Sequence, residues 1–257
     1  MSGLFASEIS IEFSAPIWEM NSAEDLLLIT SKNTEALETV FSLYHLSTQK
    51  FLFESMTFDE PWWISVFLFN GSQVVFQTYD DTQDIEKRTV FCLEVATQEV
   101  LWAIEDVKIQ QLNTQTIICL PIDNGADSFL IDIASGNQVE KPMDAVQTNI
   151  GEFPTAYPTE NEFYPSLKKF IEERTQGEIE GTIDYLEFEQ LILASSNFKE
   201  SDTYSLQLFV YDAEGVLKDQ ITLEENLKGL AVGTFFMVGR ALIFVEEKRK
   251  LKICSIA

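Results

Sequence analysis

The 257-residue chain carries 42 Asp and Glu against 17 Lys and Arg, a formal charge of −25. Such a field repels nucleic-acid phosphates and anionic lipid headgroups, and it favours basic partners. Hydrophobic residues make up 46 % of the chain, with 20 Phe and 4 Trp, enough for a sizeable core, and no stretch approaches the roughly 18 consecutive apolar residues of a membrane span.

The N-terminal segment "MSGLFASEISIEFS" lacks a basic region and a continuous apolar run, so no secretory signal is read there. Residues 8–14 read instead as a single strand without a hairpin partner of their own. Three strand-like runs follow, "APIWEM", "LLLITSKN" and "VFSLYHL", and then a turn at Ser47-Thr48-Gln49-Lys50. The next unit has "WWISVFLFN", a turn at Gly71-Ser72, "QVVFQTYDD", and the hairpin "TVFCLEVATQEVLWAIED" with its turn at Ala96-Thr97-Gln98-Glu99. A third reads "VKIQQLN", "TIICLPID", "SFLIDIA", turning at Ala134-Ser135-Gly136-Asn137. Turn residues of this kind tolerate tight backbone or bond to it locally.

Thr48 and Thr97 are 49 residues apart, Thr97 and Ser135 are 38 apart, and the next matching turn, Asp212-Ala213-Glu214-Gly215, comes 79 residues later. Periods of about 40–50 residues with several short strands each indicate β-propeller blades. The long interval holds "YPSLKKFIEERTQG", where Leu167, Phe170 and Ile171 keep helical spacing, Pro165 suits a first turn and Gly177 a C-terminal cap. A short helix inserted at about 161–180 is expected. Lys168 and Lys169 come early and Glu172 and Glu173 late, against the helix dipole, so the helix should depend on docking. "TIDYLEF", "LILASSNF" and "SLQLFVYD" form the fourth unit. "GTFFMVG", "ALIFVEE" and "KLKICSIA" form a last one, short of a strand that residues 8–14 would supply. The expected fold is all-β: one β-propeller domain over 1–257, with five four-stranded blades closed by the N-terminal strand. A β-sandwich is the rival. Trp102 should be buried where its strand packs under a neighbouring blade.

The hairpin at 90–102 resembles the blade hairpin of quinoprotein-type and WD40-like propeller repeats, in which a strand ends in Asp, a Thr-Gly turn follows and a Trp closes the next strand. Glu94 stands for the Asp, Gln98 for the Gly, and Trp102 matches; Asp132 with Ser135-Gly136 comes nearer in the turn. The resemblance implies architecture and no cofactor. "EPWWISVFLFNGSQVVFQTYDD" is similar to a family of uncharacterised propeller-like proteins with a Trp-Trp pair opening one blade and a Tyr ending the next strand, matched by Trp62, Trp63 and Tyr79. Gln77-Thr78 stands where a His-Gly pair is expected. That family implies no activity.

Chemistry has few handholds. Neither GxxxxGK[ST] nor GxGxxG occurs. Cys92, Cys119 and Cys254 are far apart with no CxxC, so neither a zinc site nor a disulfide framework is expected, and free core thiols suit a reducing, cytoplasmic setting. The single His45 precedes an outer hairpin turn and reads as structural. "FDEPWW" places Asp59 and Glu60 beside Trp62 and Trp63 at the entry to an innermost strand. Acids with aromatic platforms are what a sugar site needs, and a glycosidase would require a second carboxylate about 5–9.5 Å away; a turn followed by a packing Trp is the bland alternative. Loops expected on one face hold many acids, among them Asp80, Asp81 and Asp84, whereas the hairpin turns hold few. The sequence therefore reads as a non-catalytic cytoplasmic interaction scaffold with an acidic face for a basic protein or peptide, with no cofactor, metal, nucleic acid or membrane. The alternative is a carbohydrate-active enzyme or lectin built around Asp59, Glu60, Trp62 and Trp63.

Overall fold

The structure, a computed structural model, describes residues 4–79, 88–122, 127–145, 150–231, 233 and 235–257. It begins with β1 (Phe5–Glu12), followed by a first meander of β2 (Ile17–Ala23), β3 (Leu26–Asn33), β4 (Glu38–His45) and β5 (Lys50–Met56). The second sheet holds β6 (Ile64–Phe69), β7 (Gln73–Tyr79), β8 (Arg88–Glu94) and β9 (Val100–Ile104). The third holds β10 (Val107–Gln111), β11 (Thr116–Pro121), β12 (Phe129–Asp132) and the two-residue β13 (Gln138–Val139). Next come β14 (Thr155–Tyr157), helix α1 (Tyr164–Thr175), β15 (Ile179–Phe188), β16 (Leu191–Glu200), β17 (Thr203–Asp212) and β18 (Leu217–Leu227), whose strands form the fourth sheet. The fifth runs β1-β21-β20-β19, from β19 (Phe235–Val238), β20 (Ala241–Glu246) and β21 (Lys250–Ile256). Five antiparallel meanders, the last completed by the N-terminal strand, are the β-propeller class read from the sequence.

Two compact units make up the chain: Trp18–Ile150, and Met1–Ile17 with Gly151–Ala257. In the first unit the middle strands carry the core. β3 and β4 are buried almost end to end, whereas the outer β5 exposes most of its residues. A strand covered on both faces has no solvent side to mark with polar residues, so its alternation fades. Phe41, Phe76 and Phe91 pack within this core, and each large side chain taken out of water contributes about 1.5–3 kcal/mol.

The second unit differs from expectation in its fourth sheet, which has five strands rather than four. Thr155–Tyr157 pairs with Ile183–Tyr185 on the open edge of β15. A few residues earlier, Glu152 bridges to Met237 of β19, and Phe153 stacks on Phe236 at 4.7 Å. One short segment thus satisfies backbone groups on the first strands of two sheets, groups that would otherwise be open edges. The closing strand is Phe5–Glu12, shifted from the expected 8–14. It runs antiparallel to β21 from Phe5↔Ile256 to Glu12↔Lys250, and Glu8 pairs with the Lys252 ammonium.

Helix α1 forms where expected and docks as its charge order requires. Tyr164 and Ile171 are buried, and the Phe170 ring meets Tyr211 edge-on at 4.9 Å. Lys168, unfavourable near a helix start, donates to the Ile179 carbonyl at 2.8 Å. The left-handed cap is Gln176 (φ 57°) rather than Gly177. Gly177 serves a different need: a Cβ there would lie 1.5 Å from the Phe198 ring.

Three of the hairpin turns share one construction, while in the fourth the Gly215 N–H donates to the Asp212 carbonyl three residues back at 2.9 Å. Gln49, Gln98 and Gly136 take left-handed φ values of 57°, 58° and 69°, and their N–H groups donate to the carbonyls of His45, Glu94 and Asp132 at 2.9, 2.9 and 2.8 Å. The Thr97 hydroxyl donates to the Glu94 carboxylate at 2.7 Å, and the Ser135 hydroxyl likewise to Asp132. Gln98 therefore does occupy the backbone position of the Gly in the related turn. His45 Nδ1 lies 3.1 Å from Asp25, whose carboxylate also accepts from the Ser47 N–H at 3.1 Å. Trp102 is only partly buried, contrary to expectation, because β9 is an outermost strand. Its indole N–H donates to the Ile133 carbonyl at 2.7 Å, and the ring fills the space a Cβ on Gly136 would need, 2.4 Å away.

Candidate functional site

The segment 58–63 has an anchor that the sequence reading missed. Phe58 inserts among Phe41, Phe76 and Phe91, with ring centroids 5.8, 5.0 and 5.1 Å away. It pins the crossover from the first sheet to the second. Glu60 then closes the turn: one carboxylate oxygen accepts the N–H groups of Trp62 and Trp63 at 2.9 and 2.6 Å. Thr39 holds the same segment from β4, its N–H donating to the Pro61 carbonyl at 2.6 Å and its hydroxyl to Trp62 at 3.2 Å. Glu60 is thereby committed to backbone, while Asp59 is exposed.

The two tryptophans diverge. Trp62 is partly covered and lies against Lys32, whose ammonium sits 5.0 Å from the Trp62 ring and 5.4 Å from that of Trp18. Burial lowers the Lys32 pKa below its ordinary value, and Glu19 offsets part of that effect. Trp63 is 48 % exposed and meets Tyr79 edge-on at 6.5 Å, with the Arg88 guanidinium 4.8 Å above the Tyr79 ring. Trp18 is 67 % exposed. The result is a line of aromatic rings and cations at the starts of β2, β6 and β8 and the ends of β3 and β7. Aromatic faces attract cations electrostatically, by about 0.5–1 kcal/mol when exposed and more when desolvated. Gln77 joins this cluster in place of the expected His: Arg88 donates to its side-chain oxygen at 3.4 Å, and its amide donates to Ser65 at 3.3 Å.

Of the residues singled out in the sequence, Asp59, Glu60, Trp62 and Trp63 come together here. Asp80, Asp81 and Asp84 lie outside the described residues. Trp18, Lys32 and Arg88 were missed; the visible signal was only a Trp at the start of one innermost strand and basic residues at two strand ends. In the same unit, Glu35, Glu105, Asp106, Asp127 and Asp144 are exposed. Among the described residues no three His, Cys, Asp or Glu side chains are grouped to hold a metal ion. The three cysteines are free and buried, and burial pushes Cys92 and Cys254 up to about 12 and Cys119 to about 11, which leaves them unreactive thiols. No described helix is long and apolar enough to cross a membrane.

Residues 20–102 match a family model described as a domain of unknown function, DUF4905. No curated protein matches the chain in sequence. Among solved structures, the β-propeller domain of the trilobed protease from Pyrococcus furiosus is similar at 8 % identity and a TM-score of 0.30, over 96 % of this chain and 72 % of that one. A DUF4221 family member from Bacteroides vulgatus is similar at 7 % identity and a TM-score of 0.29, over 100 % and 99 %. Acylaminoacyl peptidase from Pyrococcus horikoshii is similar at 10 % identity and a TM-score of 0.30, over 91 % of this chain; the chain spans 40 % of that protein's length. At this level of similarity the strand pairings, not the neighbours, define the fold.

Proposed function

We propose that the protein is a non-catalytic, cytoplasmic interaction module that binds a basic segment of a protein partner on the surface around Trp63. The observation that carries this reading is the pairing of exposed Trp63 and Trp18 with exposed carboxylates such as Asp59. Trp is enriched among the anchors that dominate interface energetics. Lys32 between Trp18 and Trp62 gives an internal example of a cation held by aromatic faces. The negative field around it steers positively charged partners and raises their association rate. The commitment of Glu60 to the turn speaks against its use as a catalytic acid. We read the repeat itself as quinoprotein-like, on the backbone and hydroxyl bonds shared by the turns at Gln98 and Gly136.

Isothermal titration of Lys- and Arg-rich peptides at low and high salt tests the reading. Binding should weaken by about tenfold or more with added salt, because ions screen exposed charges over about 8 Å at physiological strength. Trp63→Ala and Asp59→Lys should each weaken it as well. Salt-insensitive binding of an uncharged oligosaccharide that is lost in Trp63→Ala, with no basic peptide bound, would replace this reading with a lectin.

A further inference from the structure

The fourth sheet, in the unit formed by Met1–Ile17 and Gly151–Ala257, is covered differently on its two faces. Leu193, Leu208 and Val210 pack with Phe235, Met237 and Leu242 of the fifth sheet. Ala194, Phe209 and Tyr211 turn the other way, as alternation along a strand requires. With Ile183 they form a cluster that takes in Tyr164, Leu167, Phe170 and Ile171 of α1. A helix of 12 residues thus does on one face what a whole sheet does on the other. It is poorly fitted to stand alone. Isolated helices shorter than about 12–15 residues are marginal in water. The N-cap, Phe163, makes no side-chain hydrogen bond to the helix, and the first turn holds no acidic residue. Lys168 with Glu172 and Lys169 with Glu173, at 3.4 and 3.7 Å, run in the less favourable order for i, i+4 pairs. Arg174 in the last turn is the exception that suits the dipole.

The seat of the helix also carries a standing cost. Tyr211 is fully buried against the Phe170 ring, yet its hydroxyl has no hydrogen-bond partner among the described residues. Arg174 does not serve it, donating instead to the Gly215 and Phe170 carbonyls at 2.6 and 3.0 Å. A buried hydroxyl without a partner has lost water and gained nothing in return, and here that holds for as long as α1 stays docked. Along one side of the helix, the i, i+4 stripe of Tyr164, Lys168, Glu172 and Gln176 borders two open clefts of about 500 and 450 Å3. We propose that α1 is a lid. It lifts and loses its helical turns together, while the strands below stay paired. Opening uncovers the apolar face around Ile183, Phe209 and Tyr211 and lets water reach the Tyr211 hydroxyl. Polar bonds at two points hold the closed form: Lys168 and Glu172 on the carbonyl and N–H of Ile179 at 2.8 and 3.0 Å, and Arg174 on Gly215. β14 remains tied to β15 ahead of the helix, so residues 158–163 and 176–178 act as the hinges. Elements that move in this way come from the least stable parts of a fold.

The lid is separate from the surface around Trp63 and does not rest on the peptide-binding reading. Native-state hydrogen exchange on the full chain, with and without a low concentration of denaturant, tests it. The amides of α1 should exchange about tenfold or more faster than those of β16 and β17, and their rates should barely respond to denaturant, because opening exposes little surface. Tyr211→Phe keeps the ring and removes the unpartnered hydroxyl, so it should slow exchange in α1 about fivefold or more. Phe163→Asp acts at an exposed position and leaves the seat untouched. It supplies a capping carboxylate and a negative charge at the helix start, and should slow α1 about threefold or more. The proposal is overturned if α1 is protected as strongly as β16 and β17 and responds as steeply to denaturant, since it would then open only when the whole unit unfolds. It is also overturned if Tyr211→Phe, or Phe163→Asp should the first variant not fold, leaves exchange in α1 unchanged or speeds it.

Discussion

The two compact units carry the same number of carboxylates and use them differently. Residues 18–150 hold 21 Asp and Glu against 6 Lys and Arg, a net −15; the rest of the chain holds 21 against 11, a net −10. In the unit that closes on itself, the cations are folded into pairs: Lys199 with Glu180 at 2.7 Å, Lys218 with Asp212 at 2.6 Å, Lys248 with Glu224 at 2.9 Å. In the other unit Lys32 lies on tryptophan rings and Arg88 on Tyr79, while Asp59, Glu105 and Asp106 face solvent. Composition sets how many charges a surface has. Placement decides whether they are spent internally or left as a field for something else.

The contrast can be broken most forcefully at β1. Deleting residues 5–12 strips the outermost strand from β21, removes Glu8 from Lys252, and leaves a long unpaired edge. Hydrogen exchange should lose protection across β19, β20 and β21 before β3, β4, β7 and β8, and the protein should aggregate. Unchanged protection in β21 would mean the pairing does not hold the sheet. Trp102→Ala probes the other unit. With the ring half-covered but its N–H bonded to Ile133, a loss of about 2–3 kcal/mol is expected in chemical denaturation, below the roughly 3–5 of a fully buried aromatic truncation. A loss under about 1 kcal/mol would place the ring in solvent.

A smaller effect separates two acids within one unit by sign. Burial raises Asp184, with a weak opposing bond from the Ser195 hydroxyl at 3.4 Å. Its folded pKa lies above the ordinary 3.8, so its contribution is fully present below that value and is lost as pH rises through the folded one. Asp184→Asn should therefore raise the melting temperature at neutral pH, with the gain shrinking as pH falls towards 4. Asp212 is held low by Lys218 and by the Val216 N–H. Its contribution is present above the ordinary carboxylate pKa and is lost as pH falls through the lowered one, so Asp212→Asn should reduce stability at neutral pH. Matching pH profiles for the two variants would contradict both assignments. The smallest effect is that of salt. Added salt should weaken the paired unit only slightly, since exposed ion pairs contribute little each, and should relieve self-repulsion in Trp18–Ile150. Exchange rates moving in the same direction in both units would erase the distinction drawn here.

Much of the architecture was legible because the turns repeat at a blade's spacing and three of them use the same backbone bond. β14 was not, since Thr155-Ala156-Tyr157 is too short to show a period and its pairing partner is a bulged strand 26 or more residues on. The tryptophans of the candidate surface could be read, but not their partners. Lys32 reaches Trp18 and Trp62 through the register of two adjacent sheets, and Phe58 acts from outside any strand; neither relation has a linear signature. The bulge in β15 was invisible for the same reason: it exists only where residues 181–183 face Ser196 of β16.

The pairing of β1 with β21 also imposes a timetable on the chain's birth. Glu8 and Lys252 lie 244 residues apart. A ribosome adding about 5–20 residues per second needs roughly 10–50 s to cover that span. Throughout that interval β1 waits for β21, while each sheet between them is completed as its own strands emerge. Contacts so distant in sequence are also slow to form once the chain is free. The nascent protein thus has a long period with an unmatched strand in solution, the interval in which a chaperone, or a neighbouring copy on the same message, competes for it.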